Sequence, residues 1–167
     1  MAGPLIVTAE LGPEDFAWLN DLRRRHYPAE RNRVPAHLTM FHALPPSAEQ
    51  EVRQLLAGLV TRAAPRAFIA GVMDLGGGAA FRIASDDLDT MRAEIAARLA
   101  GLLTAQDRAG WSAHVTIQNK VPPREAKALI QALGSQFDGR PVRIAGLGLH
   151  KYLGGPWQTL RTFSFRG

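Results

Sequence analysis

The chain has 167 residues, of which 46% are hydrophobic and 21% charged, with a formal net charge of +5 and no cysteine. Its length and composition fit one globular domain and exclude a disordered or fibrous chain. The lack of cysteine excludes disulfides, thiolate metal ligands and a cysteine nucleophile. No apolar run reaches the ~18 residues of a membrane span and the first four residues lack secretory-signal features, so we expect a cytoplasmic monomer without membrane contact.

Hydrophobic periodicity and turn residues predict strands and helices that alternate along the chain. In chain order we expect a strand over 4–11, a helix from Pro13 to before Pro28, a polar loop over 31–35 and a strand over 37–44. An amphipathic helix to Val60, a hairpin of strands 67–75 and 79–85 and a helix from Asp86 to Leu102 follow. The last predicted elements are a strand over 114–120, a helix over 124–133 and two strands around Gly154-Gly155-Pro156. Ser47 with Gln50 predicts a capping box at the second helix, and Asp86 with Asp87 predicts the N-cap of the third.

Short segments recur at a nearly constant spacing. Pro45-Pro46 recurs as Pro122-Pro123, 77 positions further on, and Ile69-Ala70-Gly71 recurs as Ile144-Ala145-Gly146 at a spacing of 75. The chain therefore reads as two copies of a strand, helix, strand, strand unit. We predict an α+β fold: residues 1–167 form a single bilobal, pseudo-twofold domain of two repeated lobes with interleaved elements. Two mostly antiparallel sheets with flanking helices would surround a central cleft.

Two tripeptides mark equivalent positions of this repeat, His37-Leu38-Thr39 and His114-Val115-Thr116, each preceded by alanine. Side chains alternate along a strand, so the His and Thr of each triplet share one face. Two imidazoles across a cleft can accept and donate a proton in one turnover, while two hydroxyls donate hydrogen bonds to phosphate oxygens. The residues predict one phosphate site built from two halves, with no metal and no cofactor. The alternative is that both histidines have only structural roles and recur because the segment was duplicated.

The duplicated His-x-Thr motif, followed each time by an apolar residue, resembles the two-histidine (2H) phosphoesterase superfamily, which includes bacterial 2′-5′ RNA ligase-like proteins and RNA cyclic phosphodiesterases. The resemblance covers nearly the whole chain. It implies a bilobal α+β fold and hydrolysis of a 2′,3′-cyclic phosphate, on an RNA end or a nucleotide, to a 2′-phosphate. His37 and His114 would then be the acid-base pair, and Thr39 and Thr116 would bind the phosphate.

Further substrate-binding candidates are weaker, because each has an ordinary structural explanation. Phe41 is predicted on the face of His37, beside a base or as core packing. The basic residues close in sequence to the proposed cleft strands are Arg31, Arg33, Lys120 and Lys151, whose guanidinium and ammonium groups suit phosphate.

The remaining histidines and the run Arg23-Arg24-Arg25 receive structural interpretations. His42 points away from the face of His37, His26 ends a helix, and His150 lies in a tail strand. The arginine run reads as a solvated helix end, where cations favour the helix dipole.

Two other functions remain open from sequence. A 2′-5′ RNA ligase would run the same displacement with an alcohol as the nucleophile in place of water. A non-catalytic RNA-binding or nucleotide-binding module could keep the cleft without turnover.

Overall fold

The computed structural model describes residues 3–166, and within them seven strands and five α-helices alternate along the chain. They are β1 (Leu5–Leu11), α1 (Pro13–His26), β2 (Leu38–Leu44), α2 (Glu49–Leu59), β3 (Arg66–Asp74), β4 (Ala79–Ala84), α3 (Asp86–Arg98), α4 (Ala105–Arg108), β5 (His114–Gln118), α5 (Pro123–Leu133), β6 (Pro141–Tyr152) and β7 (Trp157–Ser164). None of these helices is long and apolar enough to cross a membrane.

Every strand pairing is antiparallel, in the order β2-β1-β6-β3-β4-β5, with β7 also paired to β6. The long strand β6 joins the two halves, because its first residues pair with β3 and its later residues pair with β1 and β7. The two strands at the ends of this order, β2 and β5, lie beside each other. The α+β class predicted from the sequence is confirmed, and the two His-x-Thr segments are neighbours.

The predicted unit of strand, helix, strand, strand occurs twice. Its first copy is β2-α2-β3-β4, and its second is β5-α5-β6-β7. Helix α1 precedes the first copy, and α3 followed by the short helix α4 precedes the second.

Strand β1 shows how the sheet separates core from cleft. Leu5, Val7 and Ala9 are buried in the core cluster that also holds the helix side chains. Thr8 and Glu10 alternate with them and therefore point to the other face of the sheet. That face borders the region of the His-x-Thr motifs.

The helix starts differ from two sequence predictions. The capping box of Ser47 and Gln50 is wrong, because a 3₁₀ turn at Pro46–Ala48 leads into α2 and no side chain caps the helix. The cap of α3 is Ser85, whose Oγ accepts a hydrogen bond from the Leu88 backbone N–H at 3.1 Å. Asp86 and Asp87 instead occupy the first turn, where their charges favour the helix dipole.

Gly78 fixes the β3–β4 hairpin against the end of β5. A Cβ at Gly78 would overlap the backbone oxygen of Gln118, so Gly78→Ala must displace backbone. We expect this substitution to lower the free energy of unfolding by about 1–3 kcal/mol, measured by urea denaturation. Gly58→Ala is the matched control, because a Cβ there meets nothing within 4 Å and alanine favours the helix. Equal midpoints for the two variants would contradict the packing described.

Candidate active site

The two motif histidines are held in the same way. The Nδ1–H of His37 donates to the Pro35 carbonyl oxygen at 2.9 Å, and the Nδ1–H of His114 donates to the Ser112 carbonyl oxygen at 2.8 Å. A carbonyl oxygen only accepts, so each neutral ring carries its proton on Nδ1. Both Nε2 atoms are therefore left with a lone pair that can take a proton.

Neighbouring elements fix the segments that lead into these histidines. Asn20 of α1 is buried, and its Oδ1 accepts a hydrogen bond from the Ala36 backbone N–H at 3.0 Å. In the second half, the Ala113 carbonyl oxygen accepts a hydrogen bond from the Ile83 N–H of β4 at 2.9 Å. Each histidine thus follows directly after an anchored alanine.

Thr39 and Thr116 are half-buried, two residues after each histidine. Within residues 3–166 neither hydroxyl has a hydrogen-bond partner, so both hydroxyls are available to a ligand. Alternation along β2 and β5 places each hydroxyl on the face of its histidine. The arrangement offers two imidazoles and two free hydroxyl donors to one ligand.

Each half also binds the backbone of the other half's threonine. The Trp111 indole, on the segment before β5, donates to the Thr39 carbonyl oxygen at 3.1 Å. The Arg23 guanidinium, on α1 before β2, donates to the Thr116 carbonyl oxygen at 3.0 Å. These two hydrogen bonds tie β2 to β5 and set the spacing of the two motifs.

Arg23 corrects the prediction that the arginine run is a solvated helix end. Only Arg24 and Arg25 are exposed, and Arg25 pairs with Asp21 at 2.8 Å. Arg23 is 4% exposed, and it donates to the Asn32 Oδ1 at 2.7 Å. Burial lowers the pKa of Arg23. Residues four positions apart share one face of a helix. The sequence alone, however, did not show which of the three arginines lies on the face of α1 that packs on β5.

The site is electropositive and poorly hydrated at His37. Burial is the main reason that the pKa of His37 falls to about 4. The positive charge of Arg23 lowers this pKa as well, as does that of the His114 or His150 ring whenever that ring is protonated, whereas the bond to the Pro35 carbonyl oxygen raises it. His37 is therefore neutral near pH 7, and its surroundings favour an anion.

Among the further substrate-binding candidates, Phe41 lies outside the proposed site. Phe41 is fully buried in the core, so its predicted place on the face of His37 is wrong. The reason is a register irregularity between β1 and β2, which turns Phe41 inward although Thr39 keeps its face. The guanidinium of Arg92 lies 4.3 Å from the Phe41 ring centre and completes its burial.

The basic candidates also lie in different places. Arg33 lines a cavity beside His37. Lys151 follows Leu149 by two residues and therefore points to the core side of β6, away from the motif face. Lys120 is exposed beyond the end of β5, with a positive φ of 64°. Arg31 is exposed in a 3₁₀ turn that precedes the cavity segment.

Arg92 and Asp107 bind backbone atoms of β2, although the sequence suggested no role for either residue. Arg92 of α3 donates to the Met40 carbonyl oxygen at 3.2 Å and to the Asp107 carbonyl oxygen at 2.7 Å. The Asp107 carboxylate accepts hydrogen bonds from the backbone N–H groups of His42 and Ala43. No sequence signal marked them, since both act through backbone atoms far away in the chain.

His150 is buried beside the site, and burial lowers its pKa. The ring of Trp157 lies 4.7 Å from the ring of His37 and 5.4 Å from that of His150, measured between ring centres. Trp157 thus connects the first motif to the strands β6 and β7. Within residues 3–166 no three His, Asp or Glu side chains are grouped so that they could hold a metal ion.

A family model and several solved structures match this chain. The family model described as the 2′-5′ RNA ligase superfamily matches residues 11–156. Among solved structures, TT0787 of Thermus thermophilus aligns with a TM-score of 0.69 at 19% identity, over 98% of each chain. E. coli LigT complexed with 3′-AMP aligns with a TM-score of 0.64 at 11% identity, over 100% of each chain. A search of curated protein sequences gave no match.

A structure described as a phosphoesterase aligns with a TM-score of 0.61 at 15% identity, over 99% of each chain. At these identities the structural matches show the shared fold, whereas the family model covers most of the chain and includes both His-x-Thr motifs. The chain therefore belongs to the 2′-5′ RNA ligase superfamily of two-histidine phosphoesterases.

Proposed function

We propose that this protein hydrolyses a 2′,3′-cyclic phosphate, on an RNA end or a nucleotide, and leaves a 2′-phosphate. The observation that carries the proposal is the matched pair of half-sites. Both histidines donate Nδ1–H to a carbonyl oxygen two residues earlier, and both following threonines keep a free hydroxyl. Family membership supports chemistry at a phosphodiester.

In the proposed reaction, a water oxygen attacks phosphorus and the bond from phosphorus to the 3′ oxygen breaks. One imidazole takes the proton of the water through Nε2, and the other gives a proton to the departing 3′ oxygen. Thr39 and Thr116 donate hydrogen bonds to the nonbridging oxygens, where negative charge grows in the transition state. The two rings exchange protonation states in each turnover, and the two histidines supply both proton transfers without a cofactor.

Solved structures of E. coli LigT support a nucleotide as the ligand. E. coli LigT has been described in complexes with 3′-AMP, ATP and NADP⁺, all of which are nucleotides. The Arg23 guanidinium near His37 adds a positive charge that favours an anion at this chain's site. A nucleotide phosphate between the two motifs fits both observations.

The test is incubation of the protein with the four 2′,3′-cyclic nucleotides and with an RNA that ends in a cyclic phosphate, in the presence of a chelator. We expect a nucleoside 2′-phosphate, identified by chromatography against both isomers. A parallel reaction contains an RNA with a free 5′-hydroxyl, since the family name favours 2′-5′ ligation as the second candidate. Joined RNA without free 2′-phosphate would replace hydrolysis by ligation, and binding without any product would overturn both.

The low pKa of His37 gives a testable pH effect. In the free protein we expect the His37 ring to titrate near the value of about 4, followed by NMR and assigned with His37→Asn. A bound 2′-nucleotide places a phosphate anion beside the ring and stabilises the imidazolium, so the pKa of His37 must rise.

Proton linkage predicts how the affinity for a 2′-nucleotide changes with pH. Because the complex holds a proton more tightly than the free protein, the 2′-nucleotide binds more strongly as the pH falls from 8 towards about 6, the range in which its phosphate is mainly a dianion. Calorimetric titration across that range checks this. Titration of free His37 near the ordinary value of 6.5 would contradict the burial of this ring, and affinity that does not change with pH would contradict a phosphate beside it.

A further inference from the structure

A second polar surface continues from the first motif across β1, β6 and β7. Paired residues of adjacent strands form rows on this face: Thr39, Thr8, Gly148 and Thr162 in one row, and Glu10, Gly146 and Ser164 in the next. The central positions of both rows are glycines, and the space above Gly148 holds the Thr8 hydroxyl, a Glu10 carboxylate oxygen and the Nε2 of His150. The result is a trough lined by hydroxyls and one carboxylate.

This trough opens into a cavity of about 420 Å³ that reaches His37. Trp157 lines one side of the cavity, and Arg33 lies at its rim among the exposed residues. A half-buried indole is a surface on which a nucleobase can stack. Of the four motif residues, His37 lines this cavity, and the cavity has an aromatic wall.

A chain of hydrogen bonds orients the polar groups of this cavity. Thr8 Oγ1 lies 3.2 Å from Glu10 Oε2, and because a carboxylate only accepts, the Thr8 hydroxyl is the donor. Thr8 then accepts from the Nε2–H of His150 at 2.8 Å. The Nδ1 of His150 in turn accepts from the Thr159 hydroxyl at 3.0 Å. His150 thus has the opposite tautomer to the two motif histidines and acts as a positioning residue for Glu10.

Glu10 is left with acceptor capacity and no cation. Within residues 3–166 its Oε1 has no hydrogen-bond partner and the carboxylate forms no ion pair. Burial raises the pKa of Glu10, while the hydrogen bond from Thr8 lowers it. A half-buried carboxylate repels phosphate and accepts from neutral N–H donors. Glu10 lies two residues from Thr8, the partner of Thr39, or about 7 Å along the strand.

We propose that this cavity binds the nucleobase of the substrate and that Glu10 selects guanine. The inference rests on the proposed function, which places the phosphate at Thr39 and Thr116. Guanine presents an imino and an amino N–H side by side, which one carboxylate can accept together. Adenine and cytosine place a ring-nitrogen acceptor beside their amino group, and the carboxylate would repel that nitrogen. Trp157 stacks on the base.

The test compares 2′,3′-cyclic GMP with 2′,3′-cyclic AMP as substrates of the wild-type protein and of Glu10→Gln. We expect kcat/KM to favour the guanine substrate by about 10-fold or more in the wild type. In Glu10→Gln the preference falls to within about 3-fold, mainly through a higher KM for the guanine substrate, because the amide has only one acceptor oxygen. 2′,3′-cyclic IMP, which lacks the amino group, should fall between the two in the wild type.

Glu30→Gln is the matched control, since Glu30 is exposed outside the cavity and the charge change is the same. Equal use of guanine and adenine by the wild type, or an unchanged preference in Glu10→Gln, would overturn the proposal.

If the protein hydrolyses neither substrate, the proposed function fails, and calorimetric binding of 2′-GMP and 2′-AMP to the same three proteins still tests the cavity. A guanine preference that Glu10→Gln removes supports the cavity proposal, and no preference rejects it.

Discussion

We expect His37→Ala and His114→Ala each to lower kcat by ~10²- to 10⁴-fold on a 2′,3′-cyclic nucleotide. Each substitution removes one of the two Nε2 atoms that transfer protons, and the remaining ring cannot perform both transfers in one turnover. The double variant should lose little more than the worse single variant, because the two rings act as a unit. Steady-state kinetics at saturating substrate measure all three effects.

The folded state should survive these changes. Each ring is half-buried and makes one hydrogen bond to a nearby carbonyl oxygen, so the variants should keep the circular dichroism spectrum of the wild type. His26→Ala is the matched control, because His26 ends α1 and belongs to neither motif. Full activity in either motif variant would refute the two-histidine mechanism.

The second large effect is expected at the threonines. Thr39→Val and Thr116→Val keep the shape of the side chain but remove the hydroxyl donor that we propose binds the phosphate. By comparison with the loss of a single transition-state donor, we expect kcat to fall by ~10²- to 10³-fold in each variant. The measurement is kcat with a cyclic nucleotide whose chemical step is rate-limiting.

Serine distinguishes the hydroxyl from the rest of the side chain. Thr39→Ser and Thr116→Ser retain a donor on the same strand face, so most of the wild-type kcat should return. A valine variant with wild-type kcat, or a serine variant as slow as the valine variant, would show that hydrogen bonding by these hydroxyls is not what drives the reaction.

The motif geometry follows from local rules, and for this reason the sequence predicted it. Alternation along a strand puts His37 with Thr39 and His114 with Thr116, whatever the rest of the fold does. The repeat then indicated that β2 and β5 are equivalent strands. Antiparallel pairing in each half places β2 and β5 at the two ends of the strand order, where they contact each other.

Other features depend on long-range contacts and could not be read from local patterns. The irregular register between β1 and β2 buries Phe41, although simple alternation predicts it beside Thr39. Arg23 is buried because α1 packs on β5, and its identical neighbours in the chain stay exposed. The Glu10 cavity combines residues of β1, β6 and β7, whose pairings join distant parts of the sequence.

In the proposed mechanism, one phosphate lies between two matching half-sites. The structure of the protein bound to a nucleoside vanadate tests it most directly, because vanadate adopts the five-coordinate geometry of the reaction. We predict that the Nε2 atoms of His37 and His114 and the hydroxyls of Thr39 and Thr116 all lie within hydrogen-bond distance of vanadate oxygens. Vanadate bound at only one motif, or away from both, would contradict the account.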